Sequence, residues 1–159
     1  VGGIAAAAQA QSDMFTPDDH RHMAYALELA ARGLYTTTPN PRVGCVIVKD
    51  GKVVGEGWHE KAGAAHAEPI ALEHARKQAA GATVYVTLEP CAHHGRTPPC
   101  VDALLKAKPA RVVAAMQDPN PRTAGKGFEQ LRAAGITVDV GLMETEAREL
   151  NIGFVSRMT

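Results

Sequence analysis

Aromatic residues are scarce: three Phe, three Tyr and one Trp make up 4% of the 159 residues. So thin a supply argues against the stacked-ring platform on which single-stranded nucleic acid is bound. Neither sign of charge is in excess, because 17 Lys and Arg offset 17 Asp and Glu to a formal net charge of zero. No overall field then draws the chain to nucleic acid or to an anionic membrane, and a small-molecule partner is favoured. No run reaches the roughly 18 consecutive apolar residues that span a bilayer. Three cysteines are an odd number, which fits a reduced, cytoplasmic setting better than a disulfide framework. The opening Val1-Gly2-Gly3-Ile4 and the Ala5 to Ala8 run have neither the basic stretch nor the sustained apolar core of a secretion signal. We read residues 1–13 as a tail or remnant, and 14–159 as a single domain.

Against this plain background one ordered set of residues stands out. His66-Ala67-Glu68 is followed by Pro90-Cys91 and then by Cys100. A lone Cys is more often a small hydrophobe than a ligand, but the order here is that of zinc deaminases, H-x-E and then P-C-x-x-C. In those enzymes a His and two Cys hold the metal, and the Glu, which is not a ligand, moves protons. His66, Cys91 and Cys100 are therefore the candidate zinc ligands and Glu68 the candidate catalytic acid and base. Three protein ligands with a fourth position open is the catalytic pattern, since structural zinc sites are closed by four. The second half of the motif is stretched: Ala92 to Pro99 lie between the two cysteines where the common form has two residues.

The periodicities around these residues predict an α/β domain. Thr16-Pro17-Asp18-Asp19 reads as N-cap, N1 proline and first-turn acids, opening a helix from about Pro17 to Arg32. Val43–Val48 and Val53–Trp58 flank the turn signal Asp50-Gly51 and form a hairpin. Helical spacing returns over His66–Gln78, Pro99–Ala107, Gly127–Ala134 and Met143 to about Arg157, with strands expected at Thr83–Leu88, Arg111–Ala115 and Ile136–Val140. The expected architecture is a three-layer α/β/α domain, a mixed five-stranded sheet with helices on both faces. Ligands in such sheets sit beyond the carboxyl ends of the strands, where the motif segments fall.

Five blocks carry a resemblance: Thr38-Pro39-Asn40-Pro41-Arg42-Val43-Gly44, Gly55-Glu56-Gly57-Trp58-His59, His66-Ala67-Glu68, the run from Val86 to Cys100, and Asp118-Pro119-Asn120-Pro121. Together they resemble the deaminase domains of the bifunctional riboflavin-biosynthesis (RibD) family, within the cytidine-deaminase-like superfamily. The long loop between Cys91 and Cys100 is the most specific element. The resemblance implies Zn2+-dependent hydrolytic removal of the ring amino group from 2,5-diamino-6-(5-phosphoribosylamino)pyrimidin-4-one. It also implies substrate contacts from Asn40 and His59 near the base, from His93, Arg96 and Thr97 on the stretched loop, and from Asp118 and Asn120 at the ribosyl end. Such proteins usually continue into an NADPH-dependent reductase, which these 159 residues do not include. Ile70 stands where the family usually has Asn or His.

Bland readings compete at several positions. Asn40 between two prolines is also a turn former, and Asp118-Pro119-Asn120-Pro121 is also a rigid loop. His20, His22 and His74 read as solvated helix residues. Gly125-Lys126-Gly127 before a helix is able to receive an anion through backbone amides, although a loop turn is the simpler reading. Two other functions are compatible with the motif: a zinc deaminase acting on a guanine-like base or nucleoside, and a non-catalytic zinc-stabilised binding module. Apolar helical faces leave homo-oligomerisation open.

Overall fold

Thr16 starts the first helix as the sequence predicts. Its hydroxyl accepts from the Asp19 N–H and the Asp19 carboxylate accepts from the Thr16 N–H, at 3.0 and 3.1 Å, a reciprocal capping box. The structure, a computed structural model, describes residues 15–33, 41–60, 65–92 and 99–152. Helix α1 (Pro17–Ala31) leads to strands β1 (Gly44–Lys49) and β2 (Lys52–Trp58), then helix α2 (Ala67–Ala75) and strand β3 (Thr83–Val86). Helix α3 (Cys100–Ala107), strand β4 (Arg111–Ala114), helix α4 (Lys126–Ala133), strand β5 (Thr137–Val140) and helix α5 (Glu144–Leu150) complete the order. Among the described residues no helix is long and apolar enough to cross a membrane.

The five strands form one mixed sheet in the order β2-β1-β3-β4-β5. β1 pairs antiparallel with β2 and β3, whereas β3, β4 and β5 run parallel. The hairpin turns at Asp50 and Gly51, both at positive φ, 52° and 78°, the conformation that Asp-Gly supplies at low cost. Alternation along the strands divides the interior into two layers. Cys45, Ile47, Val84, Val86, Val112, Ala114 and Val138 pack under α2, α3 and α4. Val46, Val48, Tyr85 and Val113 pack under α1 and α5 with Met23, Ala26, Leu29 and Ala147. The three-layer expectation holds.

Two local expectations do not. The helix read over His66–Gln78 ends at Ala75, because Arg76 takes a φ of 53° and a 3-10 turn follows over Arg76–Ala79. Ala79, at the end of that turn, is buried against the core. His22 is buried rather than solvated, with its ring tilted against Tyr85 at 5.3 Å between centroids. It shares a helix face with Asp19, Met23, Ala26 and Leu29, so register outweighs residue type. Burial holds its pKa below the usual histidine value. His74 is exposed, as expected. The last helix, expected to reach Arg157, is described as far as Ile152.

Candidate metal centre and active site

Two elements deliver the motif. α2 lies so close to β2 that a Cβ added at Gly55 would fall 2.3 Å from the Ala71 carbonyl oxygen, and only glycine permits that approach. His66 is the N-cap of α2 and Glu68 lies in its first turn. From the other side, β3 continues through Thr87, whose buried hydroxyl accepts from the Gly44 N–H at 3.1 Å while its own N–H donates to the Gly44 carbonyl at 3.1 Å. Pinned there to β1, the chain reaches Cys91. Cys100 then begins α3, and the Cys91 carbonyl accepts from the Val101 N–H at 3.1 Å. Two helix N-termini thus converge, as the motif's place beyond the strand ends implies, and their partial positive charge favours anionic sulfur.

His66 Nδ1 lies 3.1 Å from Cys100 Sγ and 3.9 Å from Cys91 Sγ, and the three candidate ligand atoms all lie within 4.8 Å of one another. Tetrahedral zinc with ordinary Zn–S and Zn–N lengths requires ligand separations of about 3.5–3.8 Å; the two His–Cys distances bracket that range, and the donor set fits the ion in its chemistry. The Cys100 N–H donates to Cys91 Sγ at 3.2 Å. Hydrogen bonds from the Cys100 thiol and backbone and from His66 hold the Cys91 thiol down at about 4, despite desolvation. As donor in that pair, and by burial, Cys100 is pushed up. Its hydrogen bond to Cys91 and the nearby Glu68 hold the His66 imidazole above its ordinary value.

Glu68 is 3% exposed. Burial raises its carboxyl to about 7, against the opposing pull of its own backbone N–H, His66 and the Cys100 thiol. A carboxyl poised near neutrality beside three candidate metal-ligating atoms is equipped to take up and release a proton. His59, 3% exposed, sits edge-on to His66 with ring centroids 5.4 Å apart. Its Nδ1 lies 3.2 Å from the Ala65 carbonyl oxygen, which can only accept, so Nδ1 carries the proton. The other nitrogen, Nε2, is a buried acceptor with no partner among the described residues.

Asp118 and Asn120 follow β4, at the same sheet end. Both Asp118 oxygens already accept within the loop, from the Asn120 N–H at 2.9 Å and the Thr123 hydroxyl at 2.6 Å, and Asn120 Oδ1 accepts from the Arg122 N–H at 3.0 Å. The rigid-loop reading therefore describes their own contacts. Asn40, His93, Arg96 and Thr97 lie outside the described residues. Gly125 and Gly127 do receive an anion, and it is Glu89 of the same chain. Sequence reasoning missed Glu89 because its partners are backbone amides some 30 residues away, although the glycine pattern was the other half of the signal.

A family model for the cytidine and deoxycytidylate deaminase zinc-binding region matches residues 16–116. The riboflavin biosynthesis protein RibD of Escherichia coli K12 is 64% identical over 140 residues, 88% of this chain and 38% of that protein. The diaminohydroxyphosphoribosylamino-pyrimidine deaminase of Buchnera aphidicola subsp. Schizaphis graminum is 50% identical, over 88% of this chain and 95% of its own length. This chain belongs to the RibD family of zinc-binding deaminases. The solved structure of Acinetobacter baumannii RibD superposes with a TM-score of 0.88 at 59% identity, covering 89% of this chain and 40% of that one. The chain thus spans about two-fifths of the length of the RibD proteins it matches and nearly all of the Buchnera deaminase. For a RibD-family deaminase, the meeting of His66, Cys91 and Cys100 around a buried Glu68 is the arrangement that its motif order requires.

Proposed function

We propose that this protein hydrolytically deaminates 2,5-diamino-6-(5-phosphoribosylamino)pyrimidin-4-one, consuming one water and releasing ammonia and 5-amino-6-(5-phosphoribosylamino)uracil. The observation that carries the reading is the placement of Glu68, buried and unpaired with any Lys or Arg among the described residues, beside the three candidate ligand atoms. A matching deaminase of nearly the same length supports the substrate class. Residues 14–159 are proposed to be the deaminase unit.

In this reading His66, Cys91 and Cys100 hold zinc. Zinc bound there supplies a Lewis acid that brings the ionisation of water near neutral pH. The chain's own residues do the rest. Glu68 takes the proton of the water that adds to the amidine-like ring carbon and delivers a proton to the adjacent ring nitrogen. It then takes the proton left on the added hydroxyl and passes it to the departing amine as the C–N bond breaks, so that one carboxylate serves as base and then acid. His59 Nε2, fixed as an acceptor by the Ala65 carbonyl, takes a hydrogen bond from an N–H of the base. Asn40 adds a further contact at the base, and His93, Arg96 and Thr97 act on base, ribose or phosphate. Asp118 and Asn120 close the ribosyl end.

The test is ammonia release from the phosphoribosyl pyrimidine by zinc-loaded protein, with guanine and cytidine as comparison substrates. Turnover of the phosphoribosyl pyrimidine well above the other two is the expected result. Zinc-loaded protein that releases no ammonia from it, or prefers guanine, overturns the assignment.

A further inference from the structure

We propose that Glu89 is a positioning residue. It locks the 117–127 segment against the metal-ligand strand and thereby sets the affinity for the ribosyl phosphate portion of the substrate. The inference rests on the function proposed above and adds a residue to it.

The carboxylate of Glu89 is 7% exposed. Its Oε1 accepts from the Asp118 N–H at 2.9 Å and from the Gly125 N–H at 3.0 Å, and its Oε2 accepts from the Gly127 N–H at 2.9 Å. Three charge-assisted bonds and the positive end of α4 compensate the buried charge, and no Lys or Arg ion pair to it occurs among the described residues. The contacts join two segments that leave parallel neighbouring strands at the same end. Glu89 lies two residues before Cys91, and its own N–H donates to the Met116 carbonyl at 3.0 Å. A Cβ added at Gly127 would fall 2.4 Å from the Pro90 carbonyl oxygen, so the start of α4 rests directly on the peptide that leads into Cys91.

Within the 117–127 segment, Asp118, Asn120 and Thr123 brace one another. These bonds tie the loop together, and three hydrogen bonds to the Glu89 carboxylate join it to the β3 exit. The contacts that hold the metal-site cysteines together, Cys100 N–H to Cys91 Sγ and Val101 N–H to the Cys91 carbonyl, do not involve the Glu89 carboxylate, so the effect of its loss is expected on the 117–127 side of the site. An interaction made equally in the ground and transition states appears in KM and not in kcat.

The experiment uses the full chain, zinc-loaded, with wild type, Glu89→Gln and Thr123→Val side by side. Glutamine keeps the shape but turns an NH2 group onto backbone N–H groups, whereas Thr123→Val removes one brace in a partly exposed loop. Glu89→Gln is expected to keep near-stoichiometric zinc and a kcat within about threefold, while KM rises about tenfold or more, the scale of a lost charge-assisted contact. Thr123→Val is expected to raise KM by less, about threefold, because it removes one brace within a partly exposed loop and leaves the three Glu89 bonds in place. Folded, zinc-loaded Glu89→Gln with wild-type KM overturns the proposal, as does a fall in melting temperature with both kinetic constants unchanged. A loss confined to kcat also overturns it, because that would place the effect on the metal centre. If Glu89→Gln does not fold, an unchanged KM in Thr123→Val overturns it. An inactive wild type, by contrast, overturns the proposed function itself.

Discussion

Asp19 and Glu68 are almost equally inaccessible, at 4% and 3% exposure, yet they are held in opposite protonation tendencies. Burial opposes ionisation in both. At Asp19 that penalty is outweighed by the Tyr85 hydroxyl at 2.6 Å, the Arg111 guanidinium at 3.0 Å and the Thr16 N–H, so the carboxyl is held below its usual value. At Glu68 no guanidinium or ammonium among the described residues answers the charge, and burial lifts the carboxyl to about 7. Partners, not depth, decide which buried acid is a structural anion and which is able to exchange a proton. The two lie in opposite layers, Asp19 in α1 and Glu68 in α2, so either can be altered without touching the other.

The sharpest way to break the contrast is at the metal end. Cys91→Ser and Cys100→Ser are each expected to lower zinc from near one per chain to a small fraction and to abolish deamination, measured by metal analysis and ammonia release. Full zinc retention in either variant removes that cysteine from the ligand set. Glu68→Gln is expected to keep zinc and fold while deamination falls by about 10²–10⁴-fold, the usual scale for a positioned proton carrier. Because Glu68 has no Lys or Arg ion pair among the described residues and burial disfavours its charge, the variant's melting temperature should not fall. More than about a tenth of wild-type turnover would assign the proton transfer elsewhere, since that loss lies below the range.

Chemistry written locally was legible in the sequence. His66, Glu68, Cys91 and Cys100 declare themselves by order and type, the capping box at Thr16 by its spacing, and the hairpin by Asp50-Gly51. Side chains whose partners are distant backbone atoms were not legible. Glu89 answers three amides on the far side of β4, and His22 is buried because helix register turns it onto Tyr85. The sequence held one half of each contact, the glycines at 125 and 127 and the register of α1, but not the distant partner that completes it.

Asp19→Asn probes the other side of the comparison. Removing the charge weakens bonds to Arg111 and Tyr85, costing about 1.5–3 kcal/mol for hydrogen bonds to a charged group, or roughly 3–12 °C in melting temperature for a domain of this size. Activity of the folded enzyme should be unchanged. The folded-state pKa of Asp19 is depressed, so its stabilisation is fully present above the unfolded value of about 3.9 and is lost as pH falls through the lower folded value. The gap between wild type and variant should therefore be constant from about pH 5 to 7 and close as the pH falls below the ordinary carboxylate range. A gap that persists at the lowest pH would mean that shape, not charge, sustains the network.

The smallest effect is expected at Asn151, which links the end of α5 to the segment preceding β1. Its Oδ1 accepts from the Arg42 N–H at 2.6 Å and its Nδ2 donates to the Arg42 carbonyl at 2.9 Å. Only a side-chain amide offers both an acceptor and a donor in this way. One residue on, the Val43 carbonyl accepts from the His59 N–H at 3.0 Å, so the clamp stands one step behind the buried histidine of the site. Asn151→Ala should cost about 1–2 kcal/mol for the two neutral bonds, a few degrees of melting temperature, with a modest rise in KM as His59 loses its fixed position. Asn151→Asp is the sharper test. Its carboxylate can still accept from the Arg42 N–H, but it faces the Arg42 carbonyl with a second oxygen where a donor stood, so it should be no more stable than the alanine variant at pH 7. Wild-type stability in Asn151→Asp would show that the 2.6 Å bond alone holds the segment and that the donor side contributes nothing.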